Sequence, residues 1–252
     1  MADEQSDLVY PGGKVRLYVE DSLGEGLRVA ADDQQAHYLL HVMRAKAGDA
    51  VRLFNGRDGE WLATIVEVSK RGCSLSCRQE LAAQMSVPDI WLAFAPIKKT
   101  PADYVVQKAT ELGVRRFLPV FTRRTIVSRV NLDRMRANAV EAAEQSGRLD
   151  VPSFAEPQSL ASLLAQWPAD RTLIFCDEAG EAPSIASALA NLREGPAAIL
   201  TGPEGGFDPE ERAMIRARPG AIPASLGARI LRADTAALAS LAVWQAVRGD
   251  WR

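Results

Sequence analysis

Apolar positions along this chain follow two patterns, and the change between them falls about a third of the way in. Early on they form short runs broken by glycine. Val15 to Val19, Ala50 to Phe54, Trp61 to Val68 and Ser74 to Gln79 predict strands, separated by Gly12-Gly13, Gly24-Glu25-Gly26, Asn55-Gly56 and Arg71-Gly72. One helical stretch, Gln34 to Ala45, interrupts them. Many short strands joined by glycine turns predict a small closed barrel over Lys14 to about Gln84. Ala82 to Pro88 reads as a linker, so the expected domains are 1–83 and 86–252.

Beyond the linker, strand and helix patterns alternate. Strands are predicted at Ile90 to Ala95, Phe117 to Phe121, Thr172 to Cys176 and Ala198 to Leu200. Helices are predicted at Pro101 to Leu112 with Gly113 closing it, and at Leu132 to Gln145, Leu160 to Trp167, Ile185 to Leu192, Pro209 to Ala217 and Ala236 to Arg248. That alternation is the signature of an α/β domain with a mostly parallel sheet.

Two loops in this second domain carry candidate chemistry. In Ala197 to Glu211 an apolar run ends in Thr201-Gly202-Pro203-Glu204-Gly205-Gly206-Phe207, and a helix then starts with Asp208 as N-cap and Pro209 at its first position. Such a loop lies at the carboxyl ends of strands, where backbone N–H groups meet ligands; a turn whose glycines serve only geometry is the alternative. In Ala224 to Ala237 a second loop, with Gly227, Arg229, Arg232 and Thr235, opens into an apolar helix and offers further free N–H groups. Neither loop ends in GK[ST], and neither has G-x-G-x-x-G spacing, which sets aside a P-loop and a dinucleotide fingerprint.

Composition adds bounds. The chain has 252 residues with 25% charged side chains and a formal charge of −2, so it resembles an ordinary soluble protein rather than a generic nucleic-acid binder. No run approaches a membrane span, and the polar start Met1 to Asp7 lacks the pattern of a signal peptide, which points to the cytoplasm. Three cysteines, Cys73, Cys77 and Cys176, suit a reducing compartment. Neither the Cys73/Cys77 pair nor His37/His41 has the further ligands a metal needs, so no metal is expected. The charge is unevenly spread: Lys98, Lys99, Lys108, Arg115, Arg116, Arg123, Arg124, Arg129, Arg134 and Arg136 face only Asp103, Glu111 and Asp133 over residues 98–136. That excess suits phosphate contacts if the side chains share a face, and a solvated surface if they do not.

GPEGGF followed by LGARILRADTA resembles the SPOUT superfamily of RNA methyltransferases and, within it, the 16S ribosomal RNA uridine N3-methyltransferase family. Phe54-Asn55-Gly56, Gln107 to Val114 and Glu141 to Arg148 are similar to that family's pattern in the same order. The resemblance implies a PUA-like β-barrel ahead of a SPOUT domain with a deep trefoil knot, S-adenosylmethionine as cofactor, 16S rRNA in the small ribosomal subunit as partner, and a homodimer. It implies a cofactor site at Leu200, Thr201, Gly202, Pro203, Glu204, Gly205, Gly206, Leu226, Gly227, Ile230, Leu231, Arg232, Thr235 and Ala236. Arg16, Arg44, Lys98, Lys99, Arg123 and Arg124 are the RNA-facing candidates. Glu141, Glu144, Gln145 and Arg148 fall at helical spacings that can place them on one face, with an exposed helix surface carrying an intrahelical ion pair as the alternative. Glu144 and Asp234 are the candidate proton acceptors, and Arg148 the group that holds a phosphate or stabilises charge on the uracil oxygens. Asp234 stands where the family usually has glutamate, one methylene longer. A ribose 2′-hydroxyl methyltransferase would keep the same loops; a non-catalytic RNA-binding protein would have no reason to.

Overall fold

The computed structural model of the chain describes residues 15–69, 72–178 and 182–251, with the side chain of Lys99 excepted. The expected turn at Gly12-Gly13, the start Met1 to Asp7 and Arg71 lie outside them. The chain divides into two units, one drawn from Met1–Ser86 and Ala143–Val151, the other from Val87–Ala142 and Pro152–Arg252.

The first unit is a five-stranded sheet of β1 (Arg16–Tyr18), β2 (Arg28–Ala30), β3 (Ala50–Phe54), β4 (Glu60–Ser69) and β5 (Gly72–Ala82), in the order β1-β3-β4-β5-β2. β1 runs parallel to β3; the other pairings are antiparallel. All five strands feed one core: Leu17, Val29, Leu53, Ile65 and Leu75 are buried in it, together with Cys73 and Cys77. β2 is a strand the apolar pattern missed, because only Val29 of its three residues is buried. α1 (Asp33–His37) begins with a capping box between Asp32 and Gln35. It then passes into a π turn over Tyr38–Val42 instead of continuing as one helix to Ala45. The Ala45 amide donates back to the Leu39 carbonyl at 2.9 Å, with Arg44 at φ 55° between them. That is a left-handed closure of the π turn, one residue wider than a Schellman motif, with arginine in the position that usually takes glycine.

The second unit holds a parallel sheet of β6 (Ile90–Phe94), β7 (Arg116–Phe121), β8 (Ser153–Phe154), β9 (Gln158–Ser159), β10 (Thr172–Cys176), β11 (Ala197–Thr201) and β12 (Ala221–Ala224). The order is β12-β10-β11-β6-β7-β8, with β9 also paired to β7. Every pairing is parallel, so all the carboxyl ends lie along one edge. The middle strand β11 is buried along its whole length, as expected where helices cover both faces. The helices are α2 (Lys99–Glu111), α3 (Leu132–Ser146), α4 (Leu160–Ala165), α5 (Ile185–Ala190), α6 (Pro209–Arg216) and α7 (Ala233–Arg248). β8, β9 and β12 escaped the sequence reading because two to four residues cannot show a periodicity. At the amino edge of the sheet, Arg171 lies 3.6 Å over the Trp91 ring and pairs with Asp89 at 2.7 Å.

Candidate active site

The site is assembled where β10, β11 and β12 end. Thr201 closes β11, and the Gly206 amide donates to the Pro203 carbonyl at 2.9 Å, folding Pro203 to Gly206 into a tight turn. Phe207 turns back into the core, 4% exposed and edge-on to Phe175 at 5.6 Å. Its ring lies 3.1 Å from where a Cβ on Gly202 would stand, so any larger residue there requires the ring to shift by a few tenths of an ångström. Gly206 has φ +66°, and a Cβ on it would meet the Glu178 carboxylate. The loop then delivers the chain to α6 through the capping box of Asp208 and Glu211, as the Asp-Pro pair predicts.

A cavity lies against this turn. Thr201, Gly202, Pro203, Glu204 and Gly206 line it from one side, and Leu226, Gly227, Ile230, Leu231 and Ala236 from the other. The two glycine-bearing loops therefore do meet. Four expected residues are not on its wall. Leu200 is fully buried in the sheet core, because alternation along β11 turns it away from the side Thr201 faces. Gly205 faces the Arg124 side chain, while Arg232 and Thr235 sit exposed at the start of α7. Cys176, Asp177 and Glu178, at the end of β10, line the cavity and were missed. Their signal was an acidic pair directly after a predicted strand, the position at which α/β folds place ribose-binding acids.

The chemistry of the lining fits a nucleoside bearing a charged tail. Leu226, Leu231 and Phe207 offer apolar surface, Glu178 and Glu204 offer acceptors for hydroxyl or cationic groups, and Arg232, the N-cap of α7, makes no side-chain cap to the amides that follow. Burial pushes the Cys176 thiol up to about 12, against a hydrogen bond with Ser240 that lowers it. At pH 8 its thiolate fraction is then about a thousandfold below that of an ordinary cysteine, so it is expected to resist iodoacetamide in the folded protein and to react on unfolding, as peptide mass spectrometry would read. Because the folded pKa is raised, the neutral thiol stabilises the fold fully below pH 9.0, and that contribution is lost as pH rises towards about 12.

A family model described as RNA methyltransferase domain matches residues 84–245, and one described as RNA methyltransferase PUA domain matches residues 31–76. Ribosomal RNA small subunit methyltransferase E of Rickettsia conorii is 32% identical over 90% of this chain and 93% of its own length. The chain belongs to the ribosomal RNA small subunit methyltransferase E family. The Synechocystis member is 34% identical over 82% of this chain and 69% of its own. The Neisseria gonorrhoeae member, solved bound to S-adenosyl methionine, superposes with a TM-score of 0.85 at 28% identity, covering 94% of this chain and 99% of that one.

In this member of the methyltransferase E family the expected catalytic residues do not form one cluster within a unit. Asp234 belongs to the second unit, in the first turn of α7, where its Oδ1 accepts from the Thr235 amide at 2.7 Å. Glu144 and Arg148 belong to the first. α3 ends at Ser146 and Gly147 takes φ +79°, so Arg148 lies beyond the helix and the shared face with Glu141 does not exist. Arg148 is 8% exposed and donates to Asp150 at 2.7 Å; Glu144 accepts from the Tyr18 amide at 3.0 Å.

The RNA-facing candidates also separate. Arg16 is not presented to solvent: its guanidinium donates to Glu60 at 2.6 Å and to the carbonyls of Ala143, Glu144 and Arg148 at 2.8, 2.8 and 3.0 Å. It ties down the last turn of α3 and the segment after it. Arg44 and Lys98 are exposed, and the Lys99 side chain lies outside the described residues. Arg123 and Arg124 are exposed yet support the glycine turn: Arg124 Nη1 donates to the Gly205 carbonyl at 2.8 Å, and Arg123 pairs with Asp208 at 3.0 Å and Glu210 at 2.5 Å. Arg115 and Arg116 sit at the amino end of β7 and Arg123 to Arg129 beyond its carboxyl end. A strand of that length spans about 17 Å, so the basic stretch is not one patch.

Proposed function

We propose that this chain transfers a methyl group from S-adenosylmethionine to N3 of a uridine in 16S rRNA of the small ribosomal subunit. The observation that carries the reading is the cavity between the two glycine-bearing loops, in a chain of this family whose Neisseria relative was solved with that cofactor. Gly202 and Gly206 let the ligand approach the backbone, Leu226 and Leu231 wall the adenine, and Glu178 accepts from the ribose hydroxyls. When bound, the cofactor supplies an electrophilic methyl: a C–N bond forms at N3, the C–S bond breaks, and the N3 proton passes to a base. Asp234, beside this cavity on α7, is the acid we assign to that proton. The same reading includes a cytoplasmic homodimer with the trefoil knot of the superfamily; Ile230, 88% exposed at the cavity mouth, is a residue that a second copy or the RNA would cover.

Small and large ribosomal subunits from cells lacking the modification, incubated with the protein and methyl-labelled S-adenosylmethionine, test the substrate class. Label is expected in the RNA of the small subunit. Label in the large subunit instead, or in neither while the cofactor binds, would overturn the reading.

A further inference from the structure

A second cavity, of about 350 Å³, opens on the same sheet edge beside the first, and its size is that of small-molecule sites, roughly 300–1,000 Å³. Phe94, Ile97, Val127 and Met135 give it apolar walls, while Arg129 and Arg134 bring the positive charge. It neighbours the cofactor cavity through β6 and β11: Phe94 is paired in register with Thr201, one strand spacing away, about 4.8 Å. The loop that follows β7 joins the two. Its Arg123 amide donates to Glu211 at 2.8 Å and its Arg124 holds the Gly205 carbonyl, while Val127, Arg129, Val130 and Asn131 farther along line the second cavity.

Arg134 is held in a fixed orientation. Its Nε donates to Asp103 Oδ1 at 2.8 Å, its Nη2 to Oδ2, and the Asn138 amide braces the same carboxylate at 3.0 Å. Its Nη1 has no protein partner among the described residues.

We propose that this cavity receives the uracil ring of the substrate RNA and that Arg134, positioned by Asp103, reads its carbonyl oxygens. The inference rests on the uridine reading above. A flat base needs apolar surface on its faces and donors at its oxygens. Arginine can only donate, so it suits O4 of uracil and is mismatched to the amino group that cytosine carries in the same place. A cation beside O2 or O4 also stabilises the negative charge that spreads onto these oxygens as N3 loses its proton, which promotes methyl transfer without contact with the cofactor.

Two measurements test this, and neither relies on activity alone. Protein labelled with ¹³C-methyl methionine is titrated with uridine monophosphate, cytidine monophosphate and ribose 5-phosphate. The Met135 resonance, assigned with Met135→Leu, is expected to shift with the first and much less with the other two; equal shifts, or none, overturn the proposal. Arg134→Gln is expected to keep S-adenosylmethionine affinity, lose at least tenfold in kcat near neutral pH, and move the pH–rate profile to the alkaline side. Because that change also cuts the link to Asp103, Ala102→Phe, which puts a ring into the space a base would occupy and removes no hydrogen bond, is the companion: it should abolish the Met135 shift and methylation with cofactor binding intact. Wild-type rates and profile in both folded variants overturn the proposal. If the unmodified protein binds the cofactor yet makes no N3-methyluridine, it is the functional reading that falls, and the nucleotide titration still decides the cavity.

Discussion

Gly206→Val is expected to lower affinity for S-adenosylmethionine about a hundredfold, with the melting temperature little changed. Gly206 sits at φ +66°, a conformation that is a genuine outlier for a β-branched residue, and the strain is about 1–3 kcal/mol. The new side chain also points at Glu178, whose carboxylate lines the cavity and would have to leave. A loss of 2.8 kcal/mol corresponds to about a hundredfold in Kd. The loop is at the surface, so the strain is expected to be relieved by rearranging it rather than by unfolding the sheet. Gly205→Ala is the control: its Cβ would meet Arg124 at an ordinary 3.4 Å and its φ is not positive, so a few-fold change at most is expected. Isothermal titration calorimetry on both variants distinguishes a shaped backbone from a loop that is merely glycine-rich; unchanged affinity in Gly206→Val would remove the turn from the site.

Arg16→Met is expected to destabilise the protein by about 3–5 kcal/mol, the usual cost of removing one partner from a buried charged network. Among the described residues Glu60, 10% exposed at its side chain, would keep only Arg52 at 3.7 Å, and the carbonyls of Ala143, Glu144 and Arg148 would each lose a charged donor. The Phe54 ring would lose the guanidinium 4.6 Å from its centre. Urea unfolding reads the loss as a lower midpoint at similar slope. Position 16 was a candidate for RNA contact on sequence grounds, and the two roles give opposite results: a stable Arg16→Met variant with weakened affinity for ribosomal RNA would restore the RNA-facing reading.

What was legible in the sequence divides along physical lines. β6, β7, β10 and β11 were legible as short continuous apolar runs, since the strands are buried almost end to end, and the longer helices by the spacing of their apolar positions; Asp208-Pro209 marked the start of α6 to the residue. The glycine turn was legible because backbone demands show directly in residue type: Gly202 is under the Phe207 ring and Gly206 at positive φ. Arg16 was not, since an arginine that binds phosphate and one that caps a helix end look alike until the carbonyls of Ala143 and Glu144 are seen beside it. The spacing that grouped Arg148 with Glu141 assumed a helix through Gly147, where the chain turns to φ +79°. Cys176 to Glu178 escaped because their role depends on β10 being the neighbour of β11, a pairing set by topology. The cavity around Arg134 likewise needs α2, α3 and the loop after β7 together, which no single stretch reveals.

Nucleoside mass spectrometry of the reaction product is the decisive test of the proposed methyl transfer. Small subunits lacking the modification are incubated with the protein and S-adenosylmethionine, and their RNA is digested to nucleosides and separated against standards. N3-methyluridine is the expected product. A 2′-O-methylated nucleoside in its place, or no methylated product from protein shown to bind the cofactor, would contradict it.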